Sequence, residues 1–588
     1  MKILWKFLLR PMMAVAAVLL SLASASAQAL TFDRAMTCAS GPNDNNSYGP
    51  GRMVFDGQGN QYVIGRFGGS VLLGSTILSV SPNVVGLFVA KLDAQGNYLW
   101  ATQTDDNQDG YATALAVDAA GDVYVSGGFR AFSFRLRPGV IVYNSSTNMA
   151  EGFVAKLSGS TGQWSWVRRV GGTRDDYINV LAVTPAGDLY VAGNSESQVN
   201  SFGPGVPLNL PNRSIPGSGG SIYRDAYLAK LSPTGTWLWA RHVGNGNPYL
   251  GTLEVDPQGE LYFTGNFTDS VRFGSTRLFT RRLIGAPNPM SYDVFVAKGS
   301  DSGAWHWAVQ GDPLVQQNQL RASGGISDGQ GHLYFYGSFE GPAARFGSFT
   351  LPNQSLQRPP NPMSPLYTND FYSDAFIARF NLATQTWDWA ISRGGPYSEY
   401  TTHVAADLQG RLYASGVLSS APLQGGYQEL AQVDAGTGAW RHTQALQPLY
   451  GAFLFLDRQS RLHLSSAFYT SSATLGNFTL NAAGPNQLTG VLARMTAGPL
   501  AALAPISRRP GLELWPNPAS ETSTVKVNGP SPGQMVEVYD VLGRVITQCR
   551  MPANGPLNLP LLATMPSGVY MVCSAGESCR LFWNPSNP

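Results

Sequence analysis

A turn followed by a strand, Val117-Asp-Ala-Ala-Gly-Asp-Val-Tyr-Val-Ser-Gly-Gly-Phe129, occurs seven times along this chain. The other six copies are Phe55–Phe67, Val183–Ser195, Val255–Phe267, Ser327–Phe339, Ala406–Leu418 and a degenerate Leu456–Phe468. Seven copies of an all-β unit in one chain predict a closed ring, a seven-bladed β-propeller. This prediction concerns the architecture only, because propellers host many unrelated functions.

Each full repeat contains four strand-like runs with period-two alternation, and four strands make one blade. In the second repeat the runs are Ala114–Asp118, Val123–Gly127, Phe153–Leu157 and Trp164–Val167. The repeats are longer than four short strands require. The additional residues lie mostly between the second and third strands, for example in Ser201–Ser221 and Pro352–Asp370. We expect any binding surface to be built from these long loops, because loops on a rigid scaffold commonly carry function.

The two ends of the repeat array are complementary. The seventh repeat has Phe453–Asp457, Leu462–Ser466 and Val491–Met495 but no fourth strand after them. The strand-like run Leu30–Met36 lies just before the first repeat, where a fourth strand belongs. We therefore expect the N-terminal strand to complete the last blade, which removes the exposed sheet edges.

Most of the tryptophans occupy one position of the repeat, in its fourth strand. Because residues two apart share one face of a strand, we expect each Trp-x-Trp pair to pack on one face, between neighbouring blades. A sugar-stacking platform is the alternative, but recurrence in every blade favours packing. The ten tryptophans are Trp100, Trp164, Trp166, Trp237, Trp239, Trp305, Trp307, Trp387, Trp389 and Trp440.

The clearest copy of the unit runs from Gly171-Gly-Thr-Arg-Asp-Asp-Tyr177 to Gly187-Asp-Leu-Tyr-Val-Ala-Gly193. It resembles a bacterial β-propeller repeat with Asp-Tyr, a spacer, and then Gly-(Asn/Asp)-(Val/Leu)-Tyr-Val-x-Gly. The resemblance covers about residues 30–497 and implies the propeller fold. Proteins with this repeat are mostly exported or displayed at the cell surface, without an assigned activity.

The chain is predicted to have four parts: a secretory signal peptide at 1–27, the propeller at 28–497, a Pro/Ala-rich linker at 498–510 and a small domain at 511–588. A basic start, an apolar run over Met12–Leu22 and a small-residue site at Ala25-Ser-Ala27 indicate the signal peptide. No later run reaches about 20 apolar residues, so no transmembrane span is predicted in the mature chain. The net charge of +2 argues against a nucleic-acid partner.

The last part contains short alternating strands, which predict a small β-sandwich. It resembles the type A sorting domain of the type IX secretion system through three ordered motifs. They are Trp515-Pro516-Asn517-Pro518, Val538–Arg544 with Gly543, and Pro566–Val572 with Gly568 and Tyr570. The resemblance implies that the type IX machinery recognises this tail and carries the protein to the cell surface or the medium. In that family the tail is often cleaved and the protein joined to lipopolysaccharide.

Two of the four cysteines, Cys573 and Cys579, flank a predicted hairpin turn. Export places them in an oxidising compartment, where a cross-strand disulfide would form if the geometry suits it. Two free thiols are the alternative, and the sequence leaves both open.

One segment has the composition of a calcium loop. Asp105-Asp-Asn-Gln-Asp-Gly110 places oxygen ligands at Asp105, Asn107 and Asp109. It is not an EF-hand, because Ala116 stands at the twelfth position and cannot bind the ion. Solvated turn residues are the alternative. Calcium here is the one cofactor hypothesis that the sequence supports.

No residue is predicted to be catalytic. The six histidines are scattered without metal-binding spacing. Acidic residues before the turn recur from blade to blade, which favours turn capping over catalysis; they are Asp56, Asp118, Asp256, Asp328, Asp407 and Asp457. A cation after Val-Ala also recurs, which favours a structural contact between blades over a ring that attracts an acidic glycan. These cations are Lys91, Lys156, Lys230, Lys298, Arg379 and Arg494.

These observations favour an exported, non-catalytic binding scaffold that recognises a glycan or a protein through the loops of one rim. The alternatives are an extracellular enzyme that degrades polysaccharide and a structural or adhesive surface component. The sequence does not identify the ligand.

Overall fold

The computed structural model describes most of the repeat region and part of the tail. The described ranges are 30–38, 50–81, 84–105, 110–146, 148–203, 206–210, 224–244, 248–256, 258–268, 270–280, 292–311, 319–355, 372–395, 398–407, 410–418, 428–482 and 488–497, with 513–515, 526–528, 534–539, 545–552, 557–559, 568–574 and 577–583 in the tail. The chain divides into two compact units, 1–498 and 499–588.

The first unit is the predicted seven-bladed propeller, and each blade has four antiparallel strands; one parallel pairing, Tyr292 with Gln319, joins the sheets of blades 4 and 5. The inner strands of blades 1 to 7 are Pro50–Phe55, Tyr111–Val117, Asp176–Val183, Tyr249–Val255, Gln319–Ser327, Tyr400–Ala406 and Tyr450–Leu456. The second strands are Gln61–Gly68, Val123–Phe129, Leu189–Ser195, Leu261–Thr268, His332–Glu340, Arg411–Val417 and Leu462–Phe468. The third strands are Val85–Leu92, Glu151–Leu157, Asp225–Leu231, Tyr292–Gly299, Asp374–Asn381, Glu429–Asp434 and Thr489–Ala497.

The outer strands of blades 1 to 6 are Tyr98–Gln103, Trp164–Val170, Trp237–Gly244, Trp305–Gln310, Thr386–Arg393 and Trp440–Ala445. The outer strand of blade 7 is Leu30–Cys38, which pairs antiparallel with Thr489–Ala497. Asp33 forms an ion pair with Arg494 across this pairing, at 3.0 Å. The prediction that the N-terminal strand closes the ring is therefore confirmed.

The long connections between the second and third strands contain regular structure. In six blades they form a two-stranded hairpin whose buried apolar side chains join the blade core, among them Phe134, Val271 and Phe346. The described part of these connections is thus a packing element, while most of Ser201–Ser221 and Pro352–Asp370 lies outside the described residues. The hairpins are Ser70–Leu73 with Thr76–Ser79, Ser133–Arg137 with Val140–Tyr143, Val199–Ser201 with Pro207–Asn209, Ser270–Phe273 with Thr276–Phe279, Ala343–Phe346 with Phe349–Pro352, and Ser472–Leu475 with Phe478–Asn481.

The prediction that both tryptophans of a pair share one face is wrong, because the outer strand bulges between them. In blade 2, Trp164 lies opposite Leu157 and Trp166 lies opposite Lys156, so the two tryptophans project to opposite faces. Trp164 packs in the core cluster with Phe134, and Trp166 packs against a different cluster. The same shift occurs in the other blades that carry the pair. Each pair therefore serves two interfaces between blades.

The acidic residues before the turns cap those turns, as predicted. In blade 1, one carboxylate oxygen of Asp56 accepts the backbone N–H groups of Gln58 and Asn60 at 2.9 Å. The other oxygen accepts the Tyr62 hydroxyl at 3.2 Å. Lys91 lies 4.9 Å from the Tyr62 ring centre, and its Nζ donates to the carbonyl of Gly159 in the next blade at 3.0 Å. Lys91 is thus a structural contact between blades, as is Lys230 through Asp301, whereas Lys156 and Lys298 pair with Asp122 and Glu260 of their own blades.

A second recurring contact fixes the entry to the inner strand. The backbone N–H of Gly172 donates to Asp176 Oδ2 at 2.7 Å, and Gly395 donates to Glu399 Oε2 at 3.1 Å. Both carboxylates are almost fully buried. Burial, and then the negative charge of nearby Asp374, together raise the pKa of Glu399 to about 8, against the hydrogen bond from Gly395. Glu399 is therefore protonated in the folded protein at neutral pH.

Glu399→Gln is expected to make stability less dependent on pH. A raised pKa means that the folded state holds a proton that the unfolded state releases between about pH 4.5 and 8. The free energy of unfolding of the wild type therefore falls with rising pH, by up to about 1.4 kcal/mol per pH unit in that window. Tm should be measured for both proteins from pH 4 to pH 8. The Tm of the wild type should fall relative to that of Glu399→Gln as the pH rises, so that the gap between the two Tm values differs most between pH 4 and pH 8. Parallel Tm curves would refute this assignment.

The second unit contains two antiparallel sheets, as expected of the predicted β-sandwich. One sheet consists of Glu513–Trp515, Lys526–Asn528 and Leu557–Asn558. The other has the order Val545–Arg550, Met535–Tyr539, Gly568–Ser574 and Glu577–Trp583. Val536, Val538 and Val572 of this second sheet are fully buried and belong to the core of the unit.

The motif residues of the tail are distributed over these strands and the segments between them. Trp515 ends the first strand, and Gly568 and Tyr570 lie in the strand that pairs with the last one. Pro516, Asn517, Pro518 and Gly543 lie outside the described residues. In the final hairpin Cys579 is opposite Val572 and Cys573 is opposite Ser578, so the two cysteines are not cross-strand partners.

Candidate functional site

Every inner strand carries a β-bulge at the same level of the ring. The pairing with the second strand shifts register between Pro50 and Met53, Ala112 and Ala114, Ile178 and Val180, Leu250 and Thr252, Ala322 and Gly324, Thr401 and His403, and Tyr450 and Phe453. A bulge bends the strand locally and re-aims its side chains. Seven bulges at one level therefore form a collar around the axis of the propeller.

Two adjoining cavities of about 300 and 270 Å³ occupy this axis. They share Arg52, Thr113, Asn179 and Phe453 as lining residues. All seven blades line the second cavity; one lining residue from each, in blade order, is Arg52, Thr113, Asn179, Gly251, Ser323, Thr402 and Phe453. The first cavity lies toward the beginning of the inner strands and is also lined by Arg66 and Tyr249. We call the two cavities together the central channel.

Hydroxyl groups of the collar tie neighbouring blades together. The Thr113 hydroxyl donates to the carbonyl of Ile178 at 2.8 Å, and the Thr252 hydroxyl donates to the carbonyl of Gly325 at 2.7 Å. Thr252 also accepts the backbone N–H of Gly325 at 2.9 Å. Asn179 differs, because its Oδ1 is buried and accepts no hydrogen bond in the described part of the chain. Thr113 and Thr252 thus tie neighbouring blades together, whereas the Asn179 acceptor stays unpaired among the described residues.

Among the described residues that line the second cavity, Arg52 is the only one with a charged side chain at neutral pH. His403 also lines it, but burial and then the charge of Arg52 lower the pKa of His403 to about 3. Its Nδ1 accepts the backbone N–H of Leu454 at 3.2 Å. His403 is therefore a neutral acceptor at physiological pH and is unsuited to acid catalysis.

Of the predicted calcium ligands, only Asp105 belongs to the described residues. Its Oδ2 forms an ion pair with Arg135 Nε at 2.9 Å. Asn107 and Asp109 lie outside the described residues. Within the described ranges, no three His, Cys, Asp or Glu side chains are grouped so that they could hold a metal ion. Calcium at this loop stays a prediction.

The sequence-based reasoning missed Arg52 and the channel, although the repeat contained a signal. Arg52 stands four residues before the turn of its blade. The corresponding residues of the other blades are Ala114, Val180, Thr252, Gly324, His403 and Phe453. A single arginine at a position where the other repeats have small, apolar or neutral residues departs from the repeat pattern. Structural roles in a repeat protein tend to recur from repeat to repeat, whereas ligand-binding roles need not.

Comparison with known proteins identifies the tail. Residues 513–579 match the family model of the secretion system C-terminal sorting domain. The regulatory protein FlaEY of Caulobacter vibrioides is 27% identical over 182 residues, which are 30% of this chain and 17% of that protein. The chain therefore matches only a small part of the length of this curated relative.

Several solved structures align with most of the chain. A protein of unknown function from Dyadobacter fermentans aligns with a TM-score of 0.38 and 10% identity, covering 79% of this chain and 99% of that one. The quinohemoprotein alcohol dehydrogenase of Comamonas testosteroni aligns with a TM-score of 0.36 and 11% identity, covering 81% and 77% of the two chains. An ulvan lyase of polysaccharide lyase family 25 aligns with a TM-score of 0.39 and 9% identity, covering 74% and 93%.

The tail and the fold together define a class of protein. The chain is a seven-bladed β-propeller that carries a C-terminal sorting domain of the type IX secretion system. Proteins with such a tail are exported by the type IX machinery and are either secreted or located on the outer cell surface. In the described part of the chain, no helix has the length and apolarity of a membrane span.

Proposed function

We propose that this protein is a non-catalytic extracellular binding scaffold whose ligand enters the central channel from the end where the inner strands begin. The observation that carries the proposal is the collar of seven bulges, which lines one channel with residues from every blade. Bulges are enriched next to functional sites, and a concave site with a few convergent polar groups is the usual form of a ligand pocket.

The composition of the channel supports binding rather than catalysis. Its lining combines hydroxyl and amide groups with the aromatic rings of Tyr249 and Phe453. Neither cavity has a carboxylate among its described lining residues, so the acid and base pair of a glycosidase is absent from that lining. The tail supports a ligand outside the cell, which means an extracellular glycan or protein.

Ser323→Trp should block the channel. Ser323 is solvent-exposed although it belongs to an inner strand, because it faces the channel. We expect the wild-type full chain to be retained on at least one immobilised extracellular glycan or protein, without release of product. The variant should lose that retention by at least about tenfold, since an indole would fill space that the ligand needs.

The matched control is Ile77→Trp, which adds the same ring to the hairpin of blade 1, where Ile77 is 72% exposed. This control should bind like the wild type. Release of sugar from the immobilised glycan would show that the protein is an enzyme and would overturn the binding proposal. Equal retention of Ser323→Trp and Ile77→Trp would show that the ligand binds elsewhere.

A further inference from the structure

Arg52 lies in the bulge of the inner strand of blade 1 and is exposed to the channel. Its guanidinium carbon lies 5.2 Å from the centre of the Phe453 ring. This cation–π contact holds the side chain across the gap between blades 1 and 7. Arg52 forms neither an ion pair nor a hydrogen bond with any other described residue. Most other charged side chains at the blade interfaces have partners, as Lys91 and Arg494 do.

The described lining of the two cavities places no carboxylate beside Arg52. Arg66 adds a second guanidinium to the lining of the first cavity, and no described lining residue is a carboxylate. The positive charge also acts on its neighbours, because it contributes to lowering the pKa of buried His403. A cation in a cleft with low-dielectric walls attracts anions strongly, since the walls reduce the screening by water.

The other lining groups indicate what kind of anion fits. A guanidinium binds carboxylate or sulfate through paired N–H groups. Asn179 has a buried acceptor without a partner, which suits a hydroxyl donor on the ligand. Tyr249 is 52% exposed at the same cavity and presents an aromatic ring. Anion, hydroxyl donor and flat apolar face occur together in an acidic sugar.

We propose that the central channel binds an acidic sugar residue, a uronic acid or a sulfated sugar of an extracellular polysaccharide, with Arg52 as the anion-binding group. This inference rests on the proposed function, because it names the ligand class of the same channel. An acidic side chain of a protein would offer the charge, but it lacks the ring of hydroxyl groups that the polar lining matches.

The test uses the full chain and three soluble probes: oligogalacturonides, the same oligosaccharides with every carboxylate methyl-esterified, and sulfated galactan oligosaccharides. The wild type should bind the acid at least about tenfold more tightly than its methyl ester, or the sulfated probe at least as tightly as the acid. Arg52→Gln should weaken binding of the preferred acidic probe by about 10- to 100-fold, the loss expected when a charge-assisted hydrogen-bond pair is removed. Which acidic probe binds distinguishes carboxylate from sulfate.

Arg272→Gln is the matched control for loss of one charge, because Arg272 is exposed on the hairpin of blade 4, where its Nε donates to the carbonyl of Gly274. It should bind the acidic probe like the wild type. If Arg52→Gln does not fold, a salt series with the wild type serves instead. Rising ionic strength should weaken binding of the acid but leave the methyl ester unaffected.

The outcomes separate this inference from the proposed function. Equal binding of acid and ester by the wild type, with loss of both in Ser323→Trp, would overturn the acidic-sugar inference and leave channel binding standing. Binding of none of the three glycans by the wild type would also overturn it. Unchanged binding of the acidic probe by both Arg52→Gln and Ser323→Trp would overturn both proposals.

Discussion

Removal of residues 1–38 is expected to destabilise the propeller by about 3 kcal/mol and to make it self-associate. The deleted strand, Leu30–Cys38, is the outer strand of blade 7. Phe32, Ala35 and Met36 pack against the cores of blade 7 and its neighbour; losing Phe32 or Met36 costs about 1–2 kcal/mol and losing Ala35 less than about 1 kcal/mol. The deletion also exposes the edge of Thr489–Ala497, and an unpaired edge templates pairing with another chain.

Thermal unfolding and light scattering would test this expectation. The matched control removes residues 1–29 only, so that the two proteins differ by one strand. The control should remain monomeric and keep its Tm, while the longer deletion should lower the Tm and form dimers or larger species. Equal Tm and equal mass for the two proteins would mean that the N-terminal strand does not close the ring.

Asp457→Ala is expected to cost about 3 kcal/mol or more. Asp457 Oδ1 accepts the backbone N–H groups of Gln459 and Arg461, at 3.0 and 2.9 Å. Its Oδ2 accepts Arg461 Nε at 2.6 Å and bonds His463 Nε2 at 3.0 Å. His463 is 2% exposed, so the substitution leaves a buried ring nitrogen without its partner, and breaking a buried charged contact is costly.

Asp434→Ala is the control, because Asp434 also caps a turn, accepting the backbone N–H of Thr437 at 2.8 Å, and pairs with Arg441 at 2.8 Å, but about a third of the side chains of Asp434 and Arg441 is exposed. Removing such a contact costs at most about 1 kcal/mol. Chemical denaturation of the two variants measures the difference directly. A cost for Asp457→Ala no larger than that for Asp434→Ala would contradict the prediction.

The same carboxylate makes stability depend on acid. Burial raises the pKa of Asp457, but hydrogen bonds from His463 and from Arg461 outweigh burial and lower the pKa to about 2, from an ordinary 3.8. Its contribution of about 2 kcal/mol is therefore present above pH 4 and is lost as the pH falls through 2. Asp457→Ala should unfold with a weaker pH dependence than the wild type between pH 4 and pH 2.

Repetition explains why so much of the fold could be predicted. The seven turns predicted the number of blades, and the missing outer strand of the last repeat predicted that the N-terminal strand would replace it. Asp56 could be assigned to turn capping because the backbone N–H groups that it accepts belong to Gln58 and Asn60, both within four residues of it. The tryptophan pairs were assigned to the wrong faces, because a bulge adds a residue that period-two alternation does not anticipate.

The sequence by itself therefore determined the features that depend on neighbouring residues or on recurrence: the strands, their turns, the closure of the ring and the sorting tail. Only the tertiary structure decided which side chains face the channel and which of them lack partners. Thr252 contacts Gly325, which is 73 residues away in the sequence. Arg52 of the first blade contacts Phe453 of the last blade. Such neighbours come together only when the blades close, so no local pattern marks these contacts. Comparison of the repeats singles out Arg52, but only the folded protein shows that it faces the channel.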